Sequence, residues 1–381
     1  MHTTYVCLWR AGTHHRVIAR VMLAIPFLRR RKRKPPVEGP RLFTFKELSK
    51  ATKSFSDGAI VGSGGFGMVY KGTLSPSGAV VAVKRLKNRC GYWEKVLFAE
   101  ASTVWRIRHP NLVRLQGWCD EKRQLLLVYD FMSNGSLDEW LFPCRRRNPA
   151  DPKYKRFGPE FEALLPWSSR VSILAGVAAA LEYLHVGWTQ CVLHRDVKSS
   201  NVMLDAEMKP HLGDFGLARL TDHQKPAKTT KAAGTLSYMA PELPYTNKAT
   251  KESDVYSFGI LVLEVVCGKR PVNMHVEGFD EDFVLRHIVW RAHNSGDVLS
   301  AVDPTLLANV ESSDERTRMK LLLHLGLWCC LPDPETRPPM KVVMQVITSQ
   351  PGKNPLSTDL MPPLPSSRPK GRYPTSGMGG L

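Results

Sequence analysis

Gly62-Ser63-Gly64-Gly65-Phe66-Gly67 runs directly into Met68-Val69-Tyr70-Lys71-Gly72-Thr73, a strand pattern. In a dinucleotide-binding fold the same G-x-G-x-x-G spacing opens a helix. Glycines that open a strand instead make a hairpin with bare backbone amides, a loop able to lie flat over phosphates. The next β-branched run closes on Val81-Ala82-Val83-Lys84. A lysine there is fixed in place only if an acid holds it. Glu100 follows on residues 91–108, where Val96, Leu97, Val104 and Ile107 share its helical spacing.

The rest of the chain divides in two. Residues 58–89 alternate with glycine punctuation, and Leu112–Cys119 and Leu125–Phe131 also read as strands. After residue 132 the character turns helical. Ile173, Leu174, Val177, Leu181 and Leu184 form one stripe, and Ser257–Val266 is apolar all round, as a buried helix would be. A small β-rich unit therefore precedes a larger helical one, an α+β architecture. With 43% hydrophobic and 23% charged residues, the composition excludes a wholly disordered chain. The eight cysteines are irregularly spaced without a C-x-x-C pair, which argues against a disulfide framework or zinc site and suits a reducing compartment.

The net charge of +18 is uneven. Residues 1–41 hold ten Lys or Arg and one acid, so half the excess lies in an N-terminal arm and no nucleic-acid-binding domain is implied. Within the arm, residues 17–28 are apolar but too short to span a bilayer. The basic run 29–34 follows them, the reverse of a secretory signal and the order found at the cytoplasmic end of a span. The expectation is an arm that contacts an anionic membrane surface through residues 29–34; the alternative is a solvated tail on a soluble cytoplasmic protein. Residues 42–56 link the arm to the folded unit and contain a short amphipathic stretch ending near Asp57. Residues 144–160 read as a surface loop and 349–381 as a Pro-rich disordered tail.

Three further motifs follow in order: His194-Arg195-Asp196-Val197-Lys198-Ser199-Ser200-Asn201, Asp214-Phe215-Gly216 and Ala240-Pro241-Glu242. Each is common alone. All five, in this order and with these gaps, resemble the signature set of the eukaryotic protein kinases over residues 57–348. The stretches FTFKELSKATKSFSD, LQGWC, LLLVYDFMSNGSLDEWL and SDVYSFGILVLEVVCGKRPV are similar to the intracellular part of plant receptor-like kinases of the L-type lectin class. The resemblance implies a two-lobed kinase fold, with a small lobe over 57–129 and a large one over 133–348.

It also implies roles. Gly62, Ser63, Gly64, Gly65, Phe66 and Gly67 cover the phosphates of ATP, and Val69 and Ala82 roof the adenine. Tyr129 is the gatekeeper, Asp130 to Met132 the hinge that reads adenine with backbone groups, and Met203 completes the pocket. Lys84 contacts the phosphates, oriented by Glu100. Asp196 orients the substrate hydroxyl, Lys198 neutralises the γ-phosphate, and Asn201 and Asp214 hold Mg²⁺. His194 and Phe215 pack behind the metal site, Glu242 and Arg337 form a buried ion pair, and Asp254 anchors the catalytic loop. Lysine two residues after Asp196, able to share a hydroxyl with Thr235, suits serine and threonine substrates. Ser237 stands where the family usually has glycine, which can take backbone angles that serine resists, a departure that bears on peptide-substrate docking and not on ATP binding.

Arg195 beside Asp196 calls for an anionic partner, which a phosphate on Thr229 or Thr230 would supply. Thr235 is expected in the substrate-docking loop. The intact set Lys84, Asp196, Asn201 and Asp214 favours an active enzyme over its rival, a pseudokinase scaffold.

Overall fold

The computed structural model describes residues 40–64, 67–86, 105–122, 124–142, 164–221, 227–228, 234–272 and 284–349. The arm over residues 1–39, the loop 144–160 and the tail from 350 onward lie outside the described residues, as do residues 91–104 of the expected helix, Glu100 among them.

The small lobe is built on six strands: β1 (Arg41–Leu42), β2 (Ile60–Gly64), β3 (Gly67–Thr73), β4 (Val80–Leu86), β5 (Leu115–Glu121) and β6 (Gln124–Asp130). Their spatial order is β1-β5-β6-β4-β3-β2, antiparallel except where β1 pairs parallel to β5. Residues alternate across a strand, so the sheet sends its two faces to different cores. Val81, Val83, Leu126, Val128 and Tyr70 pack with Phe43 and Leu48 on the outer face. Leu127 and Tyr129 join the core of the large lobe.

The linking segment belongs to this lobe. Arg41 and Leu42 pair with Gly117 and Trp118, and Phe43 N donates to Trp118 O at 2.9 Å. A side chain at position 117 would put its Cβ 1.9 Å from Arg41 O, so glycine there is what allows the strand to dock. Helix α1 (Phe45–Ala51) follows, capped by the Thr44 hydroxyl on Glu47 N and burying Leu48 completely. It stops well short of Asp57. The Thr52 hydroxyl bonds back to Leu48 O and accepts from Phe55 N, and Lys53, Ser54 and Phe55 all take left-handed backbone angles.

The large lobe is helical. Helix α2 (Leu137–Leu141) follows the hinge, and α3 (Trp167–Glu182) continues into a wider turn over Tyr183–Gly187. The expected stripe on α3 is wider than its spacing suggests, because Trp167, Arg170, Val171, Ala178 and Ala180 are buried as well. This helix is long and apolar enough to cross a membrane, yet it forms part of the core. Three short pairings follow: β8 (Val202–Leu204) with β9 (Pro210–Leu212), β7 (Cys191–Leu193) with β10 (Arg219–Thr221), and β11 (Ala227–Lys228) with β12 (Lys248–Ala249). Helix α4 (Leu243–Thr246) precedes α5 (Lys251–Cys267), which is buried from Ser253 to its last residue. Thr250 and Ser253 cap it reciprocally. Helices α6 (Leu285–Asn294) and α8 (Ser313–Cys329) pack against it, α7 (Pro304–Ala308) lies between them in the chain, and α9 (Met340–Thr348) packs against α3. Among the described residues, Cys119, Cys191, Cys267, Cys329 and Cys330 are free buried thiols.

Candidate active site

The site lies where the inner face of the sheet meets β7 to β9. Register alone puts several expected residues on that face. Gly62 is opposite Val69, Val69 opposite Lys84, Lys84 opposite Leu127, and Ala82 opposite Tyr129. Gly67 closes the hairpin against β4: a Cβ there would sit 2.1 Å from Arg85 O. Met203 approaches from below, bridged to Ser136 just past the hinge. Gly65 and Phe66 lie outside the described residues.

Lys84 is buried, and its Nζ lies 2.8 Å from Asp214 Oδ1. Burial works against the Asp214 charge, but the lysine beside it prevails and holds the carboxyl below its ordinary value. Asp214 takes left-handed backbone angles (φ 58°, ψ 69°), which turn its side chain toward Lys84 while Phe215 turns into the core.

The loop that begins at His194 hangs from one carboxylate. Asp254, on α5, accepts from His194 N at 2.8 Å and His185 Nε2 at 3.0 Å through one oxygen, and from Arg195 N at 2.8 Å through the other. Complete burial opposes its ionisation; the hydrogen bond and charge of His185 outweigh that and keep its pKa low. His194 packs edge-on against Phe215. Its Nε2 faces Gly213 O at 3.0 Å and its Nδ1 faces Asp196 N at 3.3 Å, so a proton on Nε2 satisfies both.

Asp196, Thr235 and Lys198 close a ring of side chains, and Asn201 joins it at Asp196. Asp196 Oδ1 accepts from the Thr235 hydroxyl at 2.9 Å, and Oδ2 accepts from Asn201 Nδ2 at 3.0 Å and lies 2.8 Å from Lys198 Nζ. Lys198 also donates to Thr235 Oγ1 at 2.8 Å. Asn201 and Asp214 are brought together by the β8–β9 pairing and by Gly213 N, which donates to Asn201 O at 2.9 Å. With the Asn201 amide nitrogen turned to Asp196, its carbonyl oxygen and the Asp214 carboxylate remain as oxygen donors, the chemistry a hard divalent cation requires.

The structure corrects one expectation. Ser237 lies in a single 3-10 turn, Leu236–Tyr238, and is not among the residues with positive φ, so serine meets no backbone strain there. Arg195 is tied by its backbone to Asp254, and its Nη1 donates to Leu217 O at 3.0 Å, just past Phe215 and Gly216. Thr229, Thr230 and Glu100 lie outside the described residues. The Glu242–Arg337 pair is present and bidentate, at 2.7 Å on each arm.

Sequence reasoning missed a buried cluster behind the loop. Glu264 on α5 accepts from the Tyr238 hydroxyl and from Ser199 Oγ at 3.1 Å. Burial pushes the Glu264 carboxyl up to about 7, and burial together with Glu264 pushes the Tyr238 phenol up. The available signal was a lone acid inside the apolar run 257–266.

Residues 55–347 match the family described as the protein kinase domain. The chain is 43% identical over 323 residues to L-type lectin-domain containing receptor kinase S.1 of Arabidopsis thaliana, covering 85% of this chain and 46% of that protein. It is 40% identical over 338 residues to L-type lectin-domain containing receptor kinase IV.3 of the same organism, covering 87% and 47%. The chain thus spans less than half the length of these relatives.

Proposed function

The chain belongs to the protein kinase family, whose members use ATP and a divalent metal, and from that premise we propose that it is an active serine/threonine kinase of receptor-like membrane signalling. The observation that supports this most directly is the ring of Asp196, Lys198 and Thr235, with Asn201 bonded to Asp196 and the Lys84–Asp214 pair beside it.

Phosphoryl transfer spreads negative charge over the moving group, so the protein's part is positioning and neutralisation. In the proposed mechanism Asp196 receives the proton of the substrate hydroxyl, held in place by Asn201 and Thr235. Lys198 stands beside it to offset charge on the γ-phosphoryl oxygens. Lys84 meets the inner phosphates, and Gly62, Ser63, Gly64 and Gly67 present backbone amides above them. Val69, Ala82, Tyr129 and Met203 enclose the adenine, whose polar edge meets the backbone of Asp130 to Met132. Asn201 and Asp214 would hold Mg²⁺ through their side-chain oxygens, and the ion would supply positive charge to offset that of the phosphates. The sharing of one hydroxyl between Lys198 and Asp196 supports aliphatic hydroxyl substrates over phenols.

The reading extends to regulation and location. A phosphate on Thr229 or Thr230 orders its segment against Arg195, and the basic run 29–34 meets the anionic inner face of the plasma membrane. The test of the central reading is incubation of the purified chain with Mg-ATP and a protein substrate, followed by phosphoamino-acid analysis. Phosphoserine or phosphothreonine, abolished in Asp196→Asn, is the expected result. Binding of ATP without transfer would favour the scaffold instead.

A further inference from the structure

The hinge is held from behind by Gln116, a residue of the LQGWC stretch to which the sequence assigned no role. Strands β5 and β6 are in register at Leu115 opposite Tyr129 and again at Gly117 opposite Val128. Two steps on β5 thus answer one on β6, and Gln116 is the extra residue of a β-bulge. Bulges of this kind bend a strand and re-aim a side chain. Here the re-aimed amide reaches the first hinge residue: Gln116 Nε2 donates to Asp130 Oδ1 at 2.6 Å. Asp130 N donates to Arg114 O at 3.1 Å. Residues 114 and 116 therefore grip Asp130 by backbone and by side chain.

We propose that Gln116 is a positioning residue for nucleotide binding, setting the hinge backbone through the Asp130 carboxylate so that the adenine edge meets a preformed acceptor and donor. Tyr129 faces the nucleotide side of the sheet, so Asp130, one residue on, turns its carboxylate to the other side. That side chain is available to hold the backbone and does not compete for the base. Its bond to Gln116 is charge-assisted and half-buried, a setting in which such bonds are strong. Arg108 also lies close enough to feel the charges of Asp130 and Arg114. A hinge fixed before binding spares the ordering that adenine would otherwise impose.

This inference rests on the kinase reading, and its test separates the two. The full chain is titrated with ATP for Kd, and steady-state kinetics give KM for ATP and kcat. Gln116→Leu keeps the volume and removes the donor. It should raise Kd and KM for ATP by about three- to tenfold, the net scale of one ordinary hydrogen bond and part of the worth of this one because it acts through the hinge, with kcat within about twofold of the parent. Gln116→Glu sets two carboxylates together and should lose more. Adding Asp130→Asn to Gln116→Glu reverses donor and acceptor and should recover most of the affinity, a rescue that a merely structural role does not provide. Parental affinity in Gln116→Leu, a fall in kcat at unchanged KM, or no recovery in the double variant would each overturn the inference alone. A parent chain that binds no ATP would overturn the kinase reading and this inference with it.

Discussion

The Tyr238 hydroxyl donates a 2.5 Å hydrogen bond to Glu264 Oε2, joining the turn that carries Thr235 to the buried helix α5. Burial of this carboxyl raises its pKa from 4.5 to about 7. The folded state therefore holds a proton that the unfolded state releases near pH 4.5. The stability contributed by the protonated form is fully present below that pH and is lost as pH rises through about 7. In Glu264→Gln this loss is absent. Parent and variant unfolding free energies should diverge in the variant's favour by about 3 kcal/mol between pH 5 and 8. Denaturant melts at the two pH values measure it, and parallel pH dependences would contradict it.

Lys84→Met should reduce phosphoryl transfer by about a hundredfold or more, because it removes a charge aimed at the phosphates. Its effect on folding should be small. The Asp214 side chain is 29% exposed and stays accessible to water when its partner is lost. Initial rates with Mg-ATP, alongside thermal melts of the same preparations, test both halves. A folded variant that transfers phosphate at the parental rate would remove Lys84 from the mechanism.

Arg337 is enclosed, with Glu242 as its counter-ion and the carbonyls of Leu331, Glu252 and Pro332 around it. Glu242→Ala leaves a buried cation without a counter-ion and should cost about 3–5 kcal/mol in urea unfolding. Replacing both, Glu242→Leu with Arg337→Met, should recover part of that loss. The double variant falling further than the single would show that the carbonyl contacts, not the pair, dominate.

Phosphorylation at Thr229 or Thr230 should raise activity, and Arg195→Ala should lose the gain. These threonines directly follow Lys228, which lies in register opposite Lys248 of β12. Mass spectrometry of the autophosphorylated chain, with kinetics of a Thr229→Ala, Thr230→Ala double variant, decides the matter. Full activity in that variant would leave the switch without support.

What the sequence disclosed was chemistry at fixed spacing. Lys84, Asp196, Asn201 and Asp214 stood out through the ordered motifs that carry the kinase resemblance, and the fold pairs Lys84 with Asp214 and Asn201 with Asp196. Asp254 and the Glu242–Arg337 pair were readable through the family resemblance. Helix α5 was legible because it is apolar on every side, though that same uniformity concealed the purpose of Glu264. Gln116 was illegible for a different reason. Its role depends on a one-residue mismatch between two strands, and pairing register is not written in either strand alone. The end of α1 was misjudged because Lys53, Ser54 and Phe55 adopt left-handed angles that their side chains do not announce.

The missing side chain at Gly117 has a practical consequence for anyone cutting this protein into pieces. The family match begins at residue 55, yet Arg41, Leu42, Phe43 and Leu48 already cover the edge and outer face of the sheet. A fragment begun at residue 55 would leave β5 with a bare row of amides and carbonyls and would uncover apolar residues of the outer face. Such an edge invites pairing with other chains. Self-association of that fragment would then report on the lost strand and helix, not on any native oligomer.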